Sequence, residues 1–144
     1  MAEEKQVLTV NVVTPDGLVY SHHATLIVAK AVDGDVGIMA NHEPIIAPLK
    51  ISELRLKRID NPHHEDAIAI NGGFLEFSNN TVTIVADSAE RARDIDLRRA
   101  EYAKQKAEET LQKTTEEQSD DNAKEKARIA LLRAINRINV SNHK

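Results

Sequence analysis

The chain is predicted to be α+β in two segregated parts. An N-terminal flattened β-sandwich of about eight to ten short strands fills residues 1–87, and a C-terminal antiparallel α-helical hairpin fills residues 88–144. Three observations predict this. All glycines and prolines come early, the last being Gly73 and Pro62, and a chain that loses both helix breakers at once changes architecture. Before residue 88, strand signals recur every eight to twelve residues or so, the rhythm of a sandwich or barrel. After it, apolar residues recur at steps of three and four, the period of one helical face.

The elements follow in order. Leu8-Thr9-Val10-Asn11-Val12 alternates with period two, as a strand buried on one face does. Pro15-Asp16-Gly17 is a turn, since Pro presets φ and Gly accepts positive φ. Ala24 to Ala29 is a nearly continuous apolar run and should lie deep. The stretch from Gly34 to Pro44 holds two glycines three apart. It opens no helix and no Gly-Lys-Ser/Thr follows, so it reads as a bend between strands rather than a phosphate loop. Glu53-Leu54-Arg55-Leu56-Lys57 alternates again, and Asn61-Pro62-His63-His64-Glu65-Asp66 is a solvated loop. Ala67 to Ile70 is a buried strand. Asn71-Gly72-Gly73 is read as a hairpin turn into Phe74–Phe77, and Asn79-Asn80 as a second turn, leading to Val82, Ile84 and Ala86.

The tail is expected to hold helices at about 97–114 and 122–139. The first presents Leu97, Ala100, Ala103, Ala107 and Leu111, with Asp94 and Asp96 placed to cap it. Thr114 to Asn122 is polar and breaks the pattern, and Asp121 or Asn122 can cap the second helix. That helix presents Ala123, Ala127, Ala130, Leu131, Ala134 and Ile138. Two alanine stripes approach closely but bury little apolar area, so the hairpin should be held weakly. Weak packing suits a segment with two conformations.

Composition excludes several classes. No apolar run approaches the ~20 residues that span a bilayer, and the acidic start MAEEKQVLTV is not a signal peptide. Cysteine is absent, which removes disulfide and thiolate chemistry. A net charge of −4 and four aromatic residues (Tyr20, Phe74, Phe77, Tyr102) argue against a nucleic-acid platform. His22-His23 and His63-His64-Glu65-Asp66 are poor chelates, because neighbours on a strand point to opposite faces. No Ser-His-Asp or paired-carboxylate spacing argues for catalysis. Residues 1–87 carry 6 basic and 12 acidic side chains, a net −6, whereas residues 88–144 carry 13 and 11, a net +2. An acidic body with a charge-dense, mildly basic tail points to a tail that meets anions. Arg133 and Arg137 project from one side of the second helix; with Arg98, Arg99, Lys104 and Lys106 on the first they read either as a solvated, salt-bridged helix surface or as a clamp, since guanidinium forks suit phosphates and carboxylates.

The order and spacing of Thr14-Pro15-Asp16-Gly17, of Gly37 through Pro44, of Asn71-Gly72-Gly73-Phe74-Leu75-Glu76 and of the junction SAERARDIDLRRA (88–100) resemble the epsilon subunits of bacterial F-type ATP synthases over the whole chain. The resemblance implies the same sandwich and hairpin, and a non-catalytic subunit of the rotor stalk that couples rotation to proton flow. Its implied partners are the gamma subunit and the c-ring for the sandwich, and the alpha and beta subunits for the extended helices, with no nucleic acid and no membrane insertion. Its implied place is the cytoplasmic side of the cell membrane, held peripherally. The helical tail is implied to be a brake on ATP hydrolysis, permissive when folded and blocking when extended along gamma.

Some family members bind ATP on the folded tail through Ile/Leu-Asp-x-x-Arg-Ala, which Ile95-Asp96-Leu97-Arg98-Arg99-Ala100 matches in full. The resemblance extends that site to Glu90, Lys106, Arg133 and Arg137, with Lys106 standing where a nucleotide-binding relative has Arg. The implied ligand set is thus Glu90, Ile95, Asp96, Arg99, Ala100, Lys106, Arg133 and Arg137. No cofactor is required, and ATP enters as a regulatory ligand. The competing reading is a free-standing ATP-binding sensor with a β-sandwich body, which would bind ATP without gamma and work outside any membrane complex.

Overall fold

Period-two alternation is realised as seven strands in one sheet among the residues described. The computed structural model describes residues 7–61, 63–116 and 121–143. The strands are β1 (Leu8–Thr14), β2 (Gly17–Ala31), β3 (Gly34–Ile38), β4 (Ile45–Arg58), β5 (Glu65–Ser78), β6 (Thr81–Ala86) and β7 (Ala89–Arg91). A 3-10 turn, Ala92–Asp94, and two helices, α1 (Leu97–Glu116) and α2 (Asp121–Ser141), follow. The chain divides into two compact units, one ending at Arg91 and the other beginning at Ala92. The sheet unit runs past residue 87 because Ala89–Arg91 pair antiparallel with Ile68–Ile70.

The strand order is β1-β6-β5-β4-β2-β3, with β7 beside β5 and a further pairing of β1 with β2. That last pairing closes β1, β6, β5, β4 and β2 into a ring, so the sandwich leaves no open edge there. Every pairing is antiparallel except β1 with β6. Inside the ring lie Leu8, Val10, Tyr20, Ile27, Leu54, Ile68, Leu75, Phe77 and Ile84, all fully buried.

The expected eight to ten short strands are fewer here because three of the seven are 14 or 15 residues long. Two of them change partner along their length. β2 pairs with β1 over Gly17–Ala24, then with β4 from Ala24 and with β3 from Ile27, and register shifts mark the change. The run Ala24–Ala29 is accordingly mixed: Ala24, Ile27 and Ala29 are buried, while Thr25, Leu26 and Val28 are half-buried. β5 pairs with β6 over Gly73–Ser78 and with β7 over Ile68–Ile70.

Asn71-Gly72-Gly73 is therefore a corner and not a hairpin turn. β5 continues through it in unbroken register with β4. Gly72 and Gly73 have φ of 83° and 139°, and a Cβ on Gly73 would lie 2.0 Å from the Val85 carbonyl oxygen. Only glycine allows both that backbone and that approach. The true reversal is Asn79-Asn80, with φ of 50° and 57°, the left-handed pair a tight hairpin needs.

In the helical unit α1 packs on α2, and α2 also touches the 3-10 turn. The buried helical side chains are Ala100, Ala107, Ala127, Ala134, Val140 and Ser141. Ala103, Leu111, Leu131 and Ile138 are half-buried beside them. The inner stripe of α2 steps 127, 131, 134, 138, 141, and Ala130, expected on it, falls outside and is exposed. Alanine is small enough to sit on either face, so its presence does not mark the seam. The backbone of α1 continues through Thr114–Glu116, and the rest of the expected loop, residues 117–120, lies outside the described residues.

Candidate functional site

The first turn of α1 builds most of the motif Ile95–Ala100. Ile95 is buried, and its N–H donates to the Ala92 carbonyl at 3.3 Å. Asp96 caps the helix, its Oδ1 accepting the Arg99 N–H at 3.2 Å, while its backbone carbonyl accepts the Ala100 N–H at 3.0 Å. The spacing Asp-x-x-Arg is thus the spacing of a cap and the amide it holds. Ala100 is buried, and the Arg99 side chain is exposed. Three of the four motif positions therefore serve the helix start, leaving Arg99 to face solvent.

The basic positions sit on both helices. Arg99 lies 17 residues before the end of α1 (116 − 99) and Arg137 lies 16 after the start of α2 (137 − 121). Lys106 and Arg133 lie 10 and 12 residues from the same ends (116 − 106; 133 − 121). In an antiparallel hairpin this brings Arg99 level with Arg137, and Lys106 level with Arg133, to within about a turn. Among the described residues Arg99, Lys106 and Arg133 form no salt bridge. The Arg133 Nε is buried with no hydrogen-bond partner, a position in which an N–H is costly to leave unmet. Glu90 lies in the sheet unit, on β7, opposite Ala69.

The sheet unit carries two features that sequence patterning alone does not reveal. The first is a row of apolar side chains across the outside of the ring. Pro48 stands opposite Phe74, Phe74 opposite Val85, Val85 opposite Val13, and Val13 opposite Leu18. Val32 joins the end, its N–H donating to the Pro48 carbonyl. Leu18, Val32, Phe74 and Val85 are each more than half exposed, as is Ile46 one step away on β4. Five strands at about 4.8 Å spacing give the row a length of roughly 19 Å. Each strand shows only one or two of these residues, so the row appears only once the register is known.

The second is a polar knot around Tyr20. Its ring is buried, and its hydroxyl donates to Asp66 Oδ2 at 2.6 Å. Burial, and then Asp66, push the Tyr20 hydroxyl well above the usual phenol range. Arg58 Nη1 lies 3.6 Å from the same carboxylate and also pairs with Asp60. The His22 ring tilts against Tyr20 at 4.6 Å. The Arg91 guanidinium lies 5.2 Å from the centre of the Tyr20 ring and donates from Nη2 to the Val19 carbonyl at 3.0 Å. Among the described residues no cluster of three His, Asp or Glu is placed to hold a metal ion, and no helix is long and apolar enough to cross a membrane.

Comparison with known proteins gives one answer for both units. Residues 7–92 match the family model described as ATP synthase, Delta/Epsilon chain, beta-sandwich domain, and residues 93–142 match ATP synthase, Delta/Epsilon chain, long alpha-helix domain. A protein of Latilactobacillus sakei subsp. sakei (strain 23K), called ATP synthase epsilon chain, is 63% identical over 143 residues, 99% of this chain and 98% of that one. A protein of the same name from Lacticaseibacillus casei (strain BL23) is 54% identical over 140 residues, 97% of each chain. In fold, the chain resembles one in the cryo-EM structure of the Euglena gracilis mitochondrial ATP synthase. The TM-score is 0.74 at 19% identity, with 90% of this chain and 78% of that one covered.

Proposed function

The chain belongs to the delta/epsilon family of F-type ATP synthase chains, as a non-catalytic stalk subunit of the bacterial epsilon type, and from that premise we propose that it brakes ATP hydrolysis by opening its helical hairpin. The sheet unit docks on the gamma subunit and the c-ring and so couples rotation to proton flow. The row from Val32 to Leu18 supplies an apolar surface of the kind a stable partner covers. The enzyme is held at the cytoplasmic side of the cell membrane, and this subunit is peripheral there.

One observation carries the brake. The hairpin closes mainly on Ala100, Ala107, Ala127 and Ala134, with Leu111, Leu131 and Ile138 only half-buried beside them, while Leu97, Leu132 and Ile135 stay partly or largely exposed. A methyl group buries far less area than an isobutyl group, at ~25 cal/mol per Å². The seam is therefore weak, and the side chains that bind strongly remain available to a second surface on the alpha, beta and gamma subunits. Removing residues 95–144 from the assembled enzyme should raise ATP hydrolysis; equal rates with and without the tail refute the brake.

ATP is the regulatory ligand in this reading. Arg99, Lys106, Arg133 and Arg137 repel one another in the closed hairpin, and a polyphosphate among their charged ends removes that repulsion. At 100 times Kd a ligand favours the closed form by about 2.7 kcal/mol. Calorimetry of the full chain with ATP should give a Kd that Arg133→Ala weakens at least tenfold. Absence of binding at millimolar ATP refutes the sensor and leaves the brake standing. ATP binding by a chain that never co-purifies with gamma would favour the free-standing sensor instead.

A further inference from the structure

The tail must leave the sheet at some residue, and the bonds around β7 decide which. Asp87 N–H donates to the Gly72 carbonyl at 3.3 Å and Asn71 N–H to the Ser88 carbonyl at 3.1 Å. The Asn71 side-chain amide holds the Ser88 hydroxyl. Three β7 residues then pair with β5. A three-residue edge strand is short, and its last residue should fray. Arg91 opposes fraying: its guanidinium donates to the Val19 carbonyl of β2 and lies over the face of the buried Tyr20 ring. Tyr20 is itself fixed by Asp66. The sheet unit ends at the very next peptide.

We propose that Arg91 is a clamp that fixes the point at which the helical tail parts from the sheet, so that movement starts at Ala92 and never unzips β7. This rests on the brake reading for its purpose but not for its physics. Without the clamp, residues 89–91 are free to peel from β5. The tail then gains up to roughly 10 Å of reach, at about 3.4 Å per extended residue. A brake whose pivot wanders by that distance loses its register on the partner surface. Arg91 is a positioning residue, acting through β7 and the Tyr20 ring. The ring under it makes the contact a cation–π pair, and the carbonyl beside it makes the contact directional.

The test is hydrogen exchange by mass spectrometry on the full chain. In Arg91→Ala, exchange over residues 87–91 should accelerate at least tenfold, with β1 and β6 unchanged. Tyr20→Phe keeps the ring and loses only the hydroxyl, so exchange there should stay within threefold of wild type. Tyr20→Leu removes the ring but leaves the Arg91–Val19 hydrogen bond, so exchange there should be faster than in Tyr20→Phe and slower than in Arg91→Ala. Because Leu also opens a cavity in the core, Tyr20→Leu is repeated on the Arg91→Ala chain: a clamp adds no further acceleration over 87–91 there, whereas a cavity effect adds in full and overturns the clamp. Unchanged exchange over 87–91 in Arg91→Ala, or equal effects of Phe and Leu, overturns the clamp. Because this is read on the chain alone, it fails independently of the brake, which the truncation experiment tests.

Discussion

Ala134→Leu tests whether hairpin closure sets the rate of ATP hydrolysis. Ala134 is fully buried in the inner stripe of α2, with 0% exposure. Leucine adds three carbons where no room exists, and overpacking of this kind costs about 1–3 kcal/mol. Leucine forms helix almost as readily as alanine, so the cost falls on pairing of the helices and not on the helix itself. The ratio of closed to open hairpin should drop about 5- to 150-fold. Ala130→Leu is the control: it adds the same atoms four residues earlier, where the side chain is exposed. The assay is steady-state ATP hydrolysis by the assembled enzyme, first with wild-type chain and then with each variant. Ala134→Leu should deepen inhibition severalfold, and Ala130→Leu should stay within twofold of wild type. Equal rates for the two variants, or faster hydrolysis with Ala134→Leu, would refute the link between the alanine seam and the brake.

Three further outcomes are expected. Gly73→Ala drives a Cβ to 2.0 Å from the Val85 oxygen at a φ of 139°, so urea unfolding should show a loss of at least ~3 kcal/mol; an unchanged midpoint contradicts the corner. Asp96→Ala removes the cap that holds the Arg99 N–H and should cost about 1 kcal/mol of helix stability, read as amide exchange in the first turn of α1. His22 is held below the usual imidazole range, by burial first and then by Arg58 and Arg91. The unfolded chain therefore takes up that proton first, and stability present above pH ~6.5 is lost as the pH falls toward the folded-state value. His22→Gln should flatten this part of the profile in urea midpoints measured between pH 7.5 and 5.5, and an identical slope in the variant contradicts it.

The change from strand to helix was plain, because Gly73 and Pro62 close a breaker-rich region and Ala100, Ala107 and Leu111 open a helical stripe. The strand count was not. Ala24 and Gly72 look like ends of elements, yet each lies where one strand passes from one neighbour to the next, and a local pattern carries no record of neighbours. Asn71-Gly72-Gly73 did signal left-handed backbone, but a corner and a reversal use the same residues. The motif Ile95–Ala100 was found by likeness, and the structure assigns its spacing a simpler task in capping α1. The apolar row and the Arg91–Tyr20 contact were invisible. Both join residues far apart in the chain, 37 positions between Pro48 and Val85 (85 − 48) and 71 between Tyr20 and Arg91 (91 − 20).

The one parallel pairing has a consequence for biosynthesis. β1 lies beside β6, with Val13 opposite Val85, so the opening residues of the protein wait for a mate made some seventy positions later. A ribosome adding about 5–20 residues per second exposes that unmatched apolar strand for several seconds. Its hairpin with β2 shields one flank meanwhile. The sheet ring is sealed only as the last sheet residues emerge, and the helices are made after that body has locked shut.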